Sequence, residues 1–162
     1  MNYYIFRHGE TFATKFHIPY GSKIHTAEIL PEGIPAIERL ADYLKDIKSD
    51  VNFTSPFLRC KQTVEIVEKI TKKSFTEDVR LGEYIEGYLA FRKFKTRIVD
   101  FLNDMESKKY QNILVCTHGA GISAIKHLVV KNSYHIWNLP DYPKPGILTI
   151  INDGKTTEVN FN

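Results

Sequence analysis

Apolar residues along the chain form two patterns, short runs typical of strands and longer stretches with helical spacing. The short runs predict strands at Asn2–Phe6, Val51–Thr54, Phe75–Leu81 and Asn112–Cys116. Two further strands, Ile147–Ile151 and Glu158–Phe161, flank Asp153 and Gly154, a dipeptide typical of hairpin turns.

Helical spacing fills most of the chain between these strands. After Pro31, apolar residues recur at Ile34, Ile37, Leu40, Ala41, Leu44 and Ile47. A second helix is expected from near Phe57, a third of about fifteen residues from near Phe91, and a fourth carrying Ile122, Ile125, Leu128 and Val129. Residues 11–30 have no sustained period, which predicts a long loop of the kind that is usually functional or mobile.

The alternation of strands and helices predicts the fold class. We expect an α/β three-layer sandwich with a mainly parallel central sheet and an antiparallel edge from the C-terminal hairpin. At 162 residues, 43% of them hydrophobic and 25% charged, the chain is expected to form a single domain over 1–162.

Composition excludes several classes of function. The net charge of +3, from 22 basic and 19 acidic residues, is too small to predict nucleic-acid binding. No apolar run is long enough to cross a membrane, and Met1–Phe6 lacks the features of an export signal. With Cys60 and Cys116 as its two cysteines, the chain is expected to hold free structural thiols in the cytoplasm.

Polar residues that could take part in catalysis or binding follow three of the predicted strands. Arg7 and His8 follow the first strand, Ser55 and Arg59 the second, and Thr117 and His118 the strand at Asn112–Cys116. Ligands of open α/β sheets bind outside the carboxyl ends of the strands, so these side chains are expected to converge on one crevice.

This set of side chains favours phosphoryl chemistry. A guanidinium binds phosphate oxygens in a bidentate manner, and the neutral imidazole of His8 can attack phosphorus. His118 and the backbone N–H groups that begin its helix can stabilise the equatorial oxygens. Arg59 lies in the first turn of a predicted helix, where a cation is disfavoured unless an anion binds beside it.

The same residues resemble the signatures of the histidine phosphatase superfamily, also called phosphoglycerate mutase-like. Phe6–Thr11 is similar to its Arg-His-Gly-Glu-Thr signature, and Leu30 with Gly33 to the start of its first helix. The remaining matches are Ser55, Pro56, Leu58, Arg59, Gln62 and Thr63; then Leu81, Glu83 and Gly87; and finally Thr117, His118 and Gly119.

The resemblance implies a role for five of the matching residues. His8 would form the phosphohistidine, Arg7, Arg59 and His118 the phosphate pocket, and Glu83 would donate a proton and later act as base. Independently of the resemblance, the glycines that begin the last helix, Gly119 among them, are expected to let the backbone approach phosphate. No metal and no organic cofactor is implied.

The sequence departs from the family at two places. Thr14 stands where many relatives have asparagine, and it is kept as a candidate phosphate-binding residue. The stretch 84–111 is short compared with the cap of phosphoglycerate mutases, which favours an open site and net hydrolysis.

Other interpretations of single motifs are less consistent with the sequence. Gly119–Ala124 resembles a degenerate dinucleotide fingerprint, but no suitable strand precedes Asp141. Metal-ligand spacing and the serine-hydrolase elbow are both missing. Glu86 or Glu10 could replace Glu83 as the acid, and His17, His25 or Lys23 could touch substrate.

The sequence therefore predicts a metal-independent phosphomonoester phosphatase acting on a phosphorylated small molecule or a phosphoprotein. Open alternatives are a phosphohistidine protein phosphatase, a phosphoglycerate mutase-type enzyme and a non-catalytic phosphate-binding module. Trp137 and Tyr142 leave both a monomer and a homodimer open.

Overall fold

A mixed six-stranded sheet forms the centre of the computed structural model, which describes residues 1–162 apart from the side chain of Tyr88. The strands are β1 (Asn2–Arg7), β2 (Val51–Thr54), β3 (Thr76–Glu77), β4 (Asn112–Thr117), β5 (Ile147–Asn152) and β6 (Lys155–Asn160). Their order is β3-β2-β4-β1-β5-β6. The first four are mutually parallel, whereas β5 and β6 add an antiparallel edge. The predicted α/β fold is confirmed.

Helices cover both faces of this sheet. They are α1 (Phe12–Phe16), α2 (Ile34–Lys45), α3 (Leu58–Thr71), α4 (Tyr88–Ser107) and α5 (Gly119–Lys131). Buried residues of α2 and α3 share one core cluster with Phe6, Leu114 and Cys116. Buried residues of α4 and α5 share the other with Ile5 and Val115.

The two-residue period of the strands produces these two cores. In β4, Ile113 and Val115 face the α4 and α5 layer, while Leu114 and Cys116 face α2 and α3. Successive strand side chains point to opposite faces, so an uninterrupted apolar strand is what a sheet covered on both sides requires.

The carboxyl ends of the parallel strands meet at one edge of the sheet. Arg7 of β1 is paired with Thr117 of β4, and Thr54 of β2 with Cys116. Beyond the strands, the backbone N–H of His8 donates to Thr117 O at 3.0 Å, and that of Ser55 to Cys116 O at 3.0 Å. The register therefore brings the residues after three strands to the same place.

Several predicted boundaries were wrong. The segment 11–30 is not entirely loop, because Thr11 and Thr14 form a capping box that begins α1. Of the strand predicted at Phe75–Leu81, only Thr76–Glu77 pairs, and Val79–Leu81 is a 3-10 turn. The last strand starts at Lys155 because Asp153 (φ 48°) and Gly154 (φ 71°) form a two-residue turn.

The stretch 84–111 is mainly a core element. Helix α4 runs for 20 residues, starting at Tyr88 instead of near Phe91. It buries Phe94, Ile98, Phe101 and Met105 against the sheet. Most of the stretch therefore belongs to a layer of the fold, which leaves little of it to cover the crevice. In the part of the chain that the structure describes, no helix has both the length and the apolarity to span a bilayer.

Candidate active site

His8 lies directly after β1 and is completely buried. Its Nδ1–H donates to the carbonyl of Gly9 at 2.8 Å, which leaves Nε2 of the neutral ring unprotonated. Burial, and then the charges of Arg7 and Arg59, hold the pKa of His8 well below 6.5. The ring is therefore neutral at neutral pH and presents a basic nitrogen to the pocket.

Arg59 is fully buried in the first turn of α3. Its Nη2 donates to His118 Nδ1 at 3.0 Å and approaches Glu83 Oε2 at 3.4 Å, while Nη1 donates to the carbonyl of Ile24. Among the described residues, the buried Nε atoms of Arg7 and Arg59 find no hydrogen-bond partner. Unpartnered guanidinium N–H groups in a shared pocket favour an anionic ligand.

His118, the N-cap residue of α5, has a fixed ring orientation. Because Arg59 can only donate to Nδ1, the neutral ring carries its proton on Nε2 and donates it to Ser55 Oγ at 2.8 Å. Burial, followed by the charge of Arg59, lowers the pKa of His118 well below 6.5. The ring centroids of His8 and His118 are 5.3 Å apart. The approach of Glu83 Oε2 to His118 Nδ1 at 3.4 Å is therefore not an ion pair.

Glu83 reaches the same pocket from the loop that precedes α4. Burial raises the pKa of its carboxyl above 4.5, although Arg59 and Arg7 oppose this effect. Arg97 of α4 holds the loop, because its Nη2 donates to the carbonyls of Gly82 and Glu83, both at 2.7 Å. A carboxyl group with a raised pKa is suited to donate a proton.

Residues 20–24 cover the nucleophile. The Tyr20 hydroxyl lies 3.4 Å from His8 Nε2 and 3.0 Å from Thr11 Oγ1, and burial raises the pKa of this hydroxyl. The centre of the Arg59 guanidinium lies 4.1 Å from the centroid of the Tyr20 ring. Tyr20 and the Ile24 carbonyl therefore contact His8 and Arg59 at the positions where a phosphate would bind.

The turn after His8 is held by α3. Thr63 Oγ1 accepts from the backbone N–H of Gly9 at 2.8 Å and donates to Arg59 O at 2.7 Å. A Cβ at Gly9 would lie 2.6 Å from Ile37 Cδ1, so a side chain has no room there. These contacts couple the position of His8 to that of Arg59.

Two predicted phosphate-binding residues have other contacts in this structure. Thr14 lines the cleft, and its Oγ1 accepts from Thr11 N at 2.8 Å and donates to Thr11 O at 3.1 Å. Gly119 also lines the cleft, but a Cβ there would meet the Tyr142 ring at 2.6 Å. The missing side chain makes room for Tyr142, whose centroid lies 4.9 Å from the Arg7 guanidinium.

The other candidates from the sequence lie outside the reacting centre. His17 and Glu86 line the outer cleft, and His25 packs against Phe57 with ring centroids 4.5 Å apart. His127 contacts Asp141 at 2.6 Å, and His135 stacks on Trp137. Sequence patterns gave no signal for Arg97. Tyr20 lies within residues 11–30, for which the sequence predicts only a loop.

The electrostatics of the pocket distinguish an anion site from a metal site. Donor atoms of His8, Glu83 and His118 lie within 4.8 Å of one another, close enough to share a metal ion. However, His118 Nδ1 already accepts from Arg59, and the charges of Arg7 and Arg59 lower the pKa of both histidines. A pocket with two guanidiniums repels a cation and attracts an anion.

The family profile of the histidine phosphatase superfamily (branch 1) matches residues 3–90 of the chain. The chain belongs to this superfamily. The match begins in β1 and ends in the first turn of α4, so it includes Arg7, His8, Arg59 and Glu83. A comparison with curated protein sequences finds no match for this superfamily member.

Solved structures of other proteins share its fold. A putative alpha-ribazole-5'-P phosphatase from Escherichia coli superposes with a TM-score of 0.80 at 20% identity, covering 100% of this chain and 96% of that one. A phosphoglycerate mutase from Bacillus anthracis has a TM-score of 0.71 at 18% identity, with coverage of 99% and 92%. The protein histidine phosphatase SixA, solved with tungstate, has a TM-score of 0.69 at 17% identity, with coverage of 98% and 94%. The superfamily member is therefore phosphoglycerate mutase-like in fold.

Proposed function

We propose that the chain is a phosphomonoesterase that works through a phosphohistidine on His8, with residues 1–162 as one catalytic domain and no cofactor. The observation that carries the proposal is the unprotonated Nε2 of a buried neutral imidazole, facing a pocket shared by two arginines and a second histidine. The free buried thiols of Cys60 and Cys116 favour a cytoplasmic location.

The first step transfers the phosphoryl group to the enzyme. The phosphate displaces the Tyr20 hydroxyl and the Ile24 carbonyl, and its oxygens accept hydrogen bonds from Arg7 and Arg59. His8 Nε2 attacks phosphorus while the bond from phosphorus to the ester oxygen breaks. Protonated Glu83 gives its proton to the leaving oxygen, so the alcohol departs neutral.

The second step returns the enzyme to its starting state. The Glu83 carboxylate takes a proton from water, and the water oxygen attacks phosphorus as the bond from phosphorus to Nε2 breaks. Inorganic phosphate leaves, His8 is again neutral, and Glu83 is again protonated. Arg59, Arg7 and His118 stabilise the charge on the equatorial oxygens in both steps, and Thr14 and Gly119 remain candidate contacts to the same phosphate.

Three other functions would use the same pocket. Its relatives in fold include proteins named as a phosphoglycerate mutase and a protein histidine phosphatase, so mutase action and dephosphorylation of a phosphoprotein are the catalytic alternatives. Loss of acid catalysis would leave a phosphate-binding module. The raised pKa of the Glu83 carboxyl supports an enzyme over a binding module, because simple anion binding does not need such a group.

Hydrolysis of p-nitrophenyl phosphate in the presence of EDTA tests the proposal. We expect turnover by the wild-type chain, a loss of at least about a thousandfold in kcat for His8→Ala, and little change for His135→Ala, a surface histidine control. Absent turnover combined with binding of inorganic phosphate would support the binding module. Equal turnover by His8→Ala would refute the proposed nucleophile.

A further inference from the structure

The cleft that leads to the phosphate pocket has a large outer part. The whole cleft has a volume of about 880 Å³, and its walls come from α1 and the segment after it, the loop before α4, the start of α5 and the loop before β5. Arg7 and Glu83 lie at its inner end. This volume is in the usual range for sites that hold small organic molecules, so the cleft has space for much more than a phosphate.

The walls of the outer cleft are mainly apolar. Its lining includes Ile18 and Pro19 after α1, Ile85 before α4, and Leu139, Pro140 and Tyr142 before β5. Ile18 is 46% exposed and Ile85 is 53% exposed, although both are large aliphatic residues. Exposed apolar side chains gathered around a concave site indicate contact with an apolar ligand.

The charges of the outer cleft provide a second, independent constraint on the ligand, namely on its charge. Its described lining residues include, besides Arg7 and Glu83, one lysine and one carboxylate, Lys144 and Glu86, and no further arginine. A ligand with a carboxylate or a second phosphate would therefore find no surplus of positive charge outside the phosphate pocket. Burying an unpaired anion against apolar walls is strongly unfavourable.

We propose that the substrate is a phosphomonoester of an apolar or aromatic alcohol, with the phosphate as its single anionic group. This proposal rests on the phosphomonoesterase function proposed above and specifies its substrate class. The phosphate binds between Arg7, Arg59 and His118, and the organic part extends along Ile18 and Ile85. Phosphoglycerates and bisphosphates are poor substrates, because their second anionic group finds no surplus of positive charge in the outer cleft.

A series of n-alkylphosphonates from ethyl to octyl tests this directly, because phosphonates bind without being hydrolysed. Affinity measured by calorimetry is expected to rise roughly two- to fourfold per methylene, the gain expected when a methylene is partly or fully buried. The double variant Ile18→Ser/Ile85→Ser should show a flatter dependence on chain length. Val79→Ser, a control at a 75% exposed residue outside the cleft, should keep the full dependence.

Two outcomes would overturn the substrate class. One is an affinity that does not depend on chain length, and the other is a higher kcat/KM for 3-phosphoglycerate or for a phosphohistidine protein than for hexyl phosphate. Either result can occur while p-nitrophenyl phosphate is still hydrolysed in a His8-dependent manner. Failure of the substrate class is therefore distinguishable from failure of the phosphomonoesterase proposal.

Discussion

Replacement of Tyr20 by phenylalanine tests how phosphate gains access to His8. The Tyr20 hydroxyl contacts Thr11 Oγ1 at 3.0 Å and His8 Nε2 at 3.4 Å, whereas its ring packs over Arg59. His8 and Arg59 are both fully buried under this segment. Phosphate must therefore compete with the closed arrangement, and the substitution removes only the hydroxyl contacts that stabilise it.

The size of the effect follows from those contacts. The hydrogen bond to Thr11 contributes about 1 kcal/mol, and the longer contact to His8 contributes less. The ring is retained, so its cation–π contact with Arg59 is expected to persist. Destabilising the closed state by about 1 kcal/mol raises the population that can bind phosphate by roughly fivefold.

Competitive inhibition by inorganic phosphate measures this shift. We expect the inhibition constant of Tyr20→Phe to fall about fivefold, while Tyr43→Phe, a control at a partly exposed tyrosine packed on Phe161, leaves it unchanged. Weaker phosphate binding by Tyr20→Phe would refute the reasoning. It would indicate that the hydroxyl binds phosphate instead of competing with it.

Three further predictions concern the acid, its support and the wall of the cleft. With hexyl phosphate, whose alcohol needs a proton to leave, kcat/KM should fall at low pH through the lowered pKa of His8 and at high pH through the raised pKa of Glu83. Glu83→Gln should abolish the fall of kcat/KM at high pH. A fall that persists in this variant would come from the titration of another group. Arg97→Met should lower kcat about 10- to 100-fold with little effect on KM in steady-state assays, because Glu83 loses its backbone support. An unchanged kcat would contradict this role. Gly119→Ala should lower the unfolding free energy by about 1–3 kcal/mol in urea titrations, because its Cβ meets Tyr142. Unaltered stability would show that the ring moves aside freely.

The convergence of Arg7, His8, Arg59 and His118 could be predicted from the sequence. Arg7 ends β1, His8 and His118 directly follow β1 and β4, and Arg59 begins the helix after β2. Parallel strands place their carboxyl ends together, so the predicted strand order along the chain is enough to gather these residues. The structure brings all four residues and Glu83 into one pocket. Their catalytic roles remain predictions.

Tyr20 and Arg97 could not be predicted in the same way. The position of Tyr20 depends on α1, a five-residue helix too short to produce an apolar period, and on a contact with Arg59 that is distant in sequence. Arg97 acts through backbone carbonyls of Gly82 and Glu83, so no motif of paired side chains marks it. Contacts of both kinds depend on tertiary packing, which local patterns do not encode.

Detection of the phosphoenzyme tests the central claim most directly. Rapid acid-free quenching of Glu83→Gln during turnover of p-nitrophenyl phosphate should trap a phosphoryl group, because the base for the second step is missing while the leaving group needs little protonation. Peptide mass spectrometry should place it on His8, and its bond should be labile to acid and stable to alkali. Phosphorylation of another residue, or continued turnover by His8→Ala, would contradict the account.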